Sequence, residues 1–268
     1  MATRARREPD APTPGDGYVQ SFARGLEVIR SFNAEASVQT LSEVAARSGL
    51  TRAGARRILL TLQALGYVHS DGKHYRLTPR ILELGFSYLT ALPIWNLAEP
   101  VMERLADAVG ESCSAAVLDG TDIVYVLRVH THKIMAINLN VGTRLPAWCT
   151  SLGRVLLAGL DDAEVKARLK ASDIRANTRH TATNMGELLE RVQQVRRQGW
   201  ALVNQELEEG LISIAAPVKN RAGAVVAALN VSGQANRTSA AVMKDSMLPK
   251  LRAAADEVSA LLAQTGRA

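Results

Sequence analysis

Thr40-Leu41-Ser42-Glu43-Val44-Ala45-Ala46-Arg47-Ser48-Gly49-Leu50-Thr51-Arg52-Ala53-Gly54-Ala55-Arg56-Arg57-Ile58-Leu59-Leu60-Thr61-Leu62-Gln63-Ala64-Leu65 is the stretch on which the fold turns. Thr40 stands three residues before Glu43, the spacing of a capping box, and Leu41, Val44 and Ala45 follow it as the apolar members of a helix. Ser48-Gly49-Leu50 closes that helix with a turn, and Thr51 caps the next, Arg52 to Leu65. There Ala55, Ile58, Leu59, Leu62 and Leu65 form the stripe to be buried. With 3.6 residues per turn, packing that stripe leaves Arg56 and Arg57 facing outward. Arg52 lies at the N-terminal end, where a recognition helix meets the major groove. Arginine can hold guanine or phosphate, while Thr51 and the free N–H groups of the first turn can hold a phosphate. Ala53 and Gly54 are small enough to let the helix approach base edges, although Gly54 weakens it by about 1 kcal/mol relative to alanine.

Upstream, a helix is predicted from about Ser21 to Phe32, with Leu26, Ile29 and Phe32 on its apolar face. Downstream, Tyr67-Val68-His69-Ser70 and His74-Tyr75-Arg76-Leu77 read as two strands joined through Asp71-Gly72, a strong hairpin signal. Helix, helix, turn, helix and hairpin make a winged helix-turn-helix whose wing carries Lys73, His74 and Arg76. Thr78-Pro79 then opens a helix over about Arg80 to Leu92, and Pro93 breaks it before another at roughly Asn96 to Val109.

The distribution of charge supports the same reading. The net charge is +6, and residues 47–80 hold seven Lys or Arg against one acid, Asp71, leaving 25 basic and 25 acidic residues in the rest of the chain. The whole excess sits on one module, as on a surface that neutralises phosphates. The balanced apolar content is that of a soluble globular protein, and no run approaches the ~18 apolar residues of a membrane span, so a cytoplasmic protein is expected. Cys113 and Cys149 are too few for a disulfide framework.

At 268 residues, a second domain is expected after residue 95. Strands are predicted at Cys113 to Leu118, Ile123 to His130, Ile134 to Val141, Trp200 to Asn204, Leu211 to Val218 and Ala224 to Ser232. Helices are predicted at Leu152 to Leu160, Ala163 to Ala171, Met185 to Gln198 and Ser239 to Leu262. That mixture gives an α+β domain around an antiparallel sheet. Ser213 alternates with Ile212 and Ile214, while Asn230 and Ser232 share a strand face opposite Val225, Leu229 and Val231. Such polar groups in an apolar wall would orient a small ligand. Trp148-Cys149-Thr150-Ser151 enters a helix start suited to a carboxylate, with Trp148 placed to stack on a ring and Arg128 as a cationic partner. Cys149 there could have a lowered pKa, but no neighbouring base is identifiable and no G-x-S-x-G, P-loop or H-E-x-x-H is present. His130 and His132 have a zinc-chelating i, i+2 spacing, though a hairpin end in water is the plainer reading. No enzyme, cofactor or metal is therefore expected.

Leu41 to Ala45, Gly49 to Leu62 and Leu65-Gly66-Tyr67-Val68 resemble the winged helix of the IclR family of bacterial regulators. Pro146 to Ala158 and Gln205 to Val218 resemble that family's effector domain, and the likeness runs from about Val19 to Leu262. Thr51-Arg52 with Arg56-Arg57, and Trp148-Cys149-Thr150-Ser151, are similar to the Pca and Pob type regulators of protocatechuate, β-ketoadipate and hydroxybenzoate catabolism. Residues 1–17, Pro-, Asp- and Arg-rich without periodicity, read as an arm, and the resemblance implies a winged helix-turn-helix over 18–79, a linker helix over 80–95 and a GAF-like effector and oligomerisation domain over 96–268. It implies DNA-binding residues Thr40, Thr51, Arg52, Ala53, Arg56, Arg57, Lys73, His74 and Arg76. The effector-binding residues it implies are Trp148, Cys149, Thr150, Ser151, Gly153, Asn204, Ser213, Asn230 and Ser232. The partners would be double-stranded operator DNA, a small aromatic or dicarboxylic acid, a second copy in a homodimer or dimer of dimers, and RNA polymerase, with no membrane. Two other classes compete: an enzyme acting on a small carboxylate, and an architectural DNA-binding protein without an effector.

Overall fold

A computed structural model describes residues 15, 17–91, 94–130 and 140–264. The chain forms two compact units, Met1–Ala91 and Leu92–Ala268. The arm predicted over residues 1–17 falls almost wholly outside the described residues, as do Pro93, most of the strand predicted at Ile134 to Val141, and His132.

The first unit runs α1 (Gln20–Ser31), β1 (Val38–Thr40), α2 (Leu41–Ser48), α3 (Arg52–Ala64), β2 (Val68–Ser70), β3 (His74–Leu77) and, after a 3-10 turn at Pro79–Ile81, α4 (Leu82–Ala91). The helix starts follow the sequence chemistry. Thr40 Oγ1 accepts from the Glu43 N–H while Glu43 Oε2 accepts from the Thr40 N–H at 2.7 Å, and Thr51 Oγ1 accepts from the Gly54 N–H at 3.1 Å. Gly49 ends α2 at φ 67°, a left-handed conformation that glycine adopts without Cβ strain. Val28, Phe32, Val44, Ala45, Ala55, Leu59, Leu62 and Val68 make the core, with Ile58 packed at its edge.

Two apolar residues assigned to this core lie outside it. Leu65 is 52% exposed because α3 stops at Ala64, and Leu26 faces outward because α1 turns Val28 and Ser31 inward instead. The wing is also larger than predicted. β1 pairs antiparallel with β3, so the sheet order is β1-β3-β2, and Thr40 both ends a strand and caps a helix. Asp71 locks the tip by accepting from the Lys73 and His74 N–H groups at 2.9 and 2.7 Å.

The second unit runs α5 (Ile94–Val109), β4 (Ser112–Asp119), β5 (Asp122–Val129), β6 (Arg144–Pro146), a 3-10 turn (Ala147–Cys149), α6 (Ser151–Ala158), α7 (Asp162–Ala171), α8 (Met185–Gln198), β7 (Ala201–Asn204), β8 (Leu211–Lys219) and β9 (Val225–Gln234). It closes with α9 (Ala240–Val242), a π-helical turn (Met243–Met247) and α10 (Leu248–Gln264), where one continuous helix was predicted. The six strands form an antiparallel sheet in the order β6-β5-β4-β9-β8-β7. α5 and α10 cover one face; α6, with α8 behind it, covers the other. A register shift between Val218 and Lys219 lets Val225 pack on the α6 side, reversing the simple alternation expected for it. β6 is a short edge strand with no signal in the sequence.

Candidate DNA-reading face and effector site

In the first unit the buried stripe of α3 fixes its outer face. Arg52, Ala53, Arg56 and Arg57 are all exposed, as are Thr51 before them and Lys73 and Arg76 on the wing. Among the described residues of this unit, ion pairs join Arg30 to Glu27, His74 to Asp71 and Arg80 to Glu83. Among the described residues none involves Arg52, Arg56, Arg57, Lys73 or Arg76, so these charges are offered to the outside.

Three further residues of this unit behave differently from that outward set. Arg80 lies over the Tyr67 ring at 5.5 Å and so braces the hairpin. The His74 ring stands 3.3 Å from Asp71 Oδ2. Thr40 spends its hydroxyl on Glu43 at 2.8 Å, and those hydrogen bonds, the backbone one foremost, hold the Glu43 carboxyl below its usual pKa. Thr40 and His74 therefore shape the module, whereas Thr51, Arg52, Ala53, Arg56, Arg57, Lys73 and Arg76 face out from it.

In the second unit the face under α6 is mostly small and apolar, with Ala116, Ala201, Ala215 and Ala228 in the same core as Trp148 and Leu152. One quarter of it is polar. Ser114 stands opposite Arg128 on one side and Asn230 on the other; Ser232 stands opposite Ser112 and Ser213. Arg128 Nη1 donates to Ser114 Oγ at 3.0 Å, Ser151 Oγ and Ser213 Oγ lie 2.8 Å apart, and Asn230 Nδ2 donates to Ser232 Oγ at 2.9 Å. Asn230 is 3% exposed, and its Oδ1 has no hydrogen-bond partner among the described residues. Burial pulls the Arg128 pKa below its usual value, opposed by the Tyr125 phenol and Cys113 thiol nearby.

The pattern thus brings Ser151, Ser213, Asn230 and Ser232 together and adds Ser114, which was missed because a serine on a strand reads as ordinary polarity. Other candidates are used within the fold. Trp148 is 2% exposed and packed in the core, so its ring is not open to stack on a ligand from outside. Thr150 Oγ1 donates to Pro146 O and accepts from the Gly153 N–H, and a Cβ on Gly153 would lie 2.1 Å from Ala147 O; these two residues close the start of α6 against the preceding turn. Asn204 is exposed and pairs with Ile212, which places it on the opposite sheet face from Ser213. The lowered pKa that a helix start could give Cys149 is not found: burial pushes it up to about 12, away from the thiolate.

A second feature escaped the sequence. Arg154, buried on α6, grips Glu206 through both guanidinium nitrogens at 2.7 and 2.6 Å and donates from Nε to Trp148 O. Arg191 joins from α8 at 2.5 Å. This network ties the turn before α6 to the loop after β7. Among the described residues no group of three or more His, Cys, Asp or Glu could hold a metal ion, and no helix is long and apolar enough to cross a membrane.

Comparison with known proteins follows the same division of the chain. Residues 21–72 match the IclR helix-turn-helix domain, and residues 86–260 match the C-terminal domain of bacterial transcriptional regulators of the IclR type. The chain is 41% identical over 259 residues to the Pca regulon regulatory protein of Pseudomonas putida, covering 96% of this chain and 89% of that one. Its fold matches the crystal structure of a putative transcriptional regulator from Rhodococcus sp. RHA1 with a TM-score of 0.84 and 48% identity, over 92% of this chain and 100% of the other. It also matches an IclR homologue from Microbacterium hydrocarbonoxydans complexed with 4-hydroxybenzoate, with a TM-score of 0.78 and 25% identity, over 90% and 98% of the two chains.

Proposed function

The chain belongs to the IclR family of bacterial transcriptional regulators, and from that premise we propose that it controls genes of aromatic-acid catabolism by coupling a small aromatic or dicarboxylic acid to operator binding. The observation that carries this reading is the polar quarter of an otherwise apolar sheet face, where Arg128, Ser114, Asn230, Ser232, Ser213 and Ser151 converge. A related protein holds 4-hydroxybenzoate. An acid bound there changes DNA affinity only by favouring one state of the protein over another. The relatives it matches are named as regulators, and no observation favours the enzyme reading.

On the DNA side, the proposed contacts are Thr51, Arg52, Ala53, Arg56 and Arg57 of the reading helix, with Lys73 and Arg76 on the wing. The working form is a cytoplasmic homodimer or dimer of dimers with RNA polymerase as a further partner. Exposed apolar side chains support self-association: Phe22, at 68% exposed, stands with Leu26 on α1 and with Val19 at its N-cap, and Phe86, at 64%, with Leu82 on α4. A two-fold pair would set two α3 helices about 34 Å apart, one turn of duplex.

The test titrates benzoates and short dicarboxylates into the protein while following both intrinsic fluorescence and operator binding. A saturable signal that shifts operator affinity is the expected result. Saturable binding with product formation would favour an enzyme, and unaltered operator affinity with every acid would leave an architectural protein.

A further inference from the structure

β7 stands at the end of the sheet, and beside it a cavity of about 210 Å³ is bounded by Arg154, Arg191, Trp200, Leu202 and Lys244. Leu202 pairs with Ile214, which puts it on the sheet face opposite Val203 and Ser213. The cavity is therefore apart from the polar quarter under α6. Three cations meet in it. Arg154 and Arg191 share Glu206, and Arg191 also pairs with Glu187, so two carboxylates answer two guanidinium groups. Lys244 is left over: its ammonium lies 5.9 Å from the centre of the Trp200 ring, and among the described residues it joins no ion pair. The π-helical turn Met243–Met247 carries Lys244, and such turns, rare in helices, recur at functional sites. The amide side chains add donors. Gln198 Nε2 is spent on Trp200 O at 2.6 Å, but Gln194 Nε2 reaches Gln198 Oε1 only at 3.5 Å, a long bond on which an anionic acceptor would improve.

We infer that this cavity is a second ligand site, for a compact organic anion: a carboxylate or phosphate head on Lys244, Arg191 and Gln194, with an apolar body against Trp200, Val195 and Leu202. Its volume lies below the ~300 Å³ at which pockets for drug-sized ligands begin, so the body is short. An uncharged molecule of the same size leaves Lys244 unanswered. Inorganic phosphate answers it but lacks the body.

The experiment titrates the full chain, at fixed ionic strength, with hexanoate, phenyl phosphate, inorganic phosphate and hexanol, followed by calorimetry and tryptophan fluorescence. Trp95 and Trp148 are 6% and 2% exposed, so the half-buried Trp200 is the reporter. Hexanoate or phenyl phosphate, or both, should saturate and bind at least about tenfold more tightly than hexanol, and which of them binds identifies the head. Lys244→Gln, a change at an exposed side chain, should weaken that binding about tenfold or more, Lys244→Arg should restore it to within about threefold, and Trp200→Phe should remove the fluorescence change. Failure of every anion to saturate the parent overturns the site. Equal binding in the parent and Lys244→Gln overturns it too, as does a full fluorescence change in Trp200→Phe. Binding that survives Lys244→Gln but is lost in Ser213→Ala places the anion on the face under α6 instead and removes the second site while keeping the effector reading.

Discussion

Arg154 and Glu206, 52 positions apart in the chain, form a two-point ion pair in which both side chains are buried, and Arg191 adds a third contact to the same carboxylate. Buried pairs of this kind hold a geometry more than they add stability, but removing one partner leaves a buried charge uncompensated. Glu206→Gln should therefore destabilise the second unit by about 3 kcal/mol. That corresponds to a drop on the order of 10 °C in its thermal midpoint. The first unit has no part in this network, so the melting of the isolated helix-turn-helix signal should be unchanged. A shift of under about 2 °C would show that the pair is replaced by water at little cost.

The outward arginines of α3 lead to a different kind of prediction, one in binding and not in stability. Arg56→Ala and Arg57→Ala each remove an exposed charge with no acidic partner among the described residues, so the fold should change by less than about 0.5 kcal/mol. Operator affinity should fall, and each lost phosphate contact should lower the slope of log affinity against log salt by about one. Anisotropy of a labelled operator at several salt concentrations reads both. A variant that loses affinity for one base pair with an unaltered slope identifies a base contact instead.

How much of this was legible in the sequence depended on the range of the interaction. The capping box of Thr40 and Glu43, the left-handed Gly49 and the Thr51 cap are settled within four residues, so the helix-turn-helix was read with near-correct limits. Strand alternation likewise placed Ser213, Asn230 and Ser232 on one face. β1 was invisible because three residues gain their structure only from β3, more than thirty positions later. The same reason hid the Arg154 and Glu206 pair: each reads alone as a solvated charge. Val225 was assigned to the wrong face because local alternation does not reveal where a register shift resets it. Leu26 and Leu65 show that periodicity gives the direction of an apolar face but not its width.

Gly153 separates packing from ligand contact within the run that the sequence marked as a binding segment. A Cβ there would lie 2.1 Å from Ala147 O and 2.3 Å from Ala147 Cα, both backbone atoms that cannot swing aside. Gly153→Ala should push α6 away from the preceding turn at a cost of about 3 kcal/mol or more. Effector binding should fall only as far as the folded fraction does. Chemical denaturation gives the first quantity and titration of the folded fraction the second; an intact midpoint with abolished binding would instead place Gly153 against the ligand.

The last prediction comes from groups kept neutral by burial. Burial raises Cys113 and Cys149 from 9.0 to about 12, and Tyr125 from 10.0 to about 12. In the unfolded chain these groups lose their protons near the lower values, while in the folded chain they retain them. Above pH 9 the unfolded state therefore binds fewer protons, and stability falls as pH rises toward 12. Below pH 9 these three groups contribute no slope. Each ionising group contributes up to about 1.4 kcal/mol per pH unit, so the thermal midpoint should drop by on the order of 10 °C between pH 8.5 and 10.5. The double variant Cys113→Ala, Cys149→Ala should flatten most of that fall, and iodoacetamide should label the parent at pH 8.5 only after denaturant is added. An equally steep fall in the double variant would assign the alkaline loss to other groups, and labelling of the native protein would show that these thiols open to solvent.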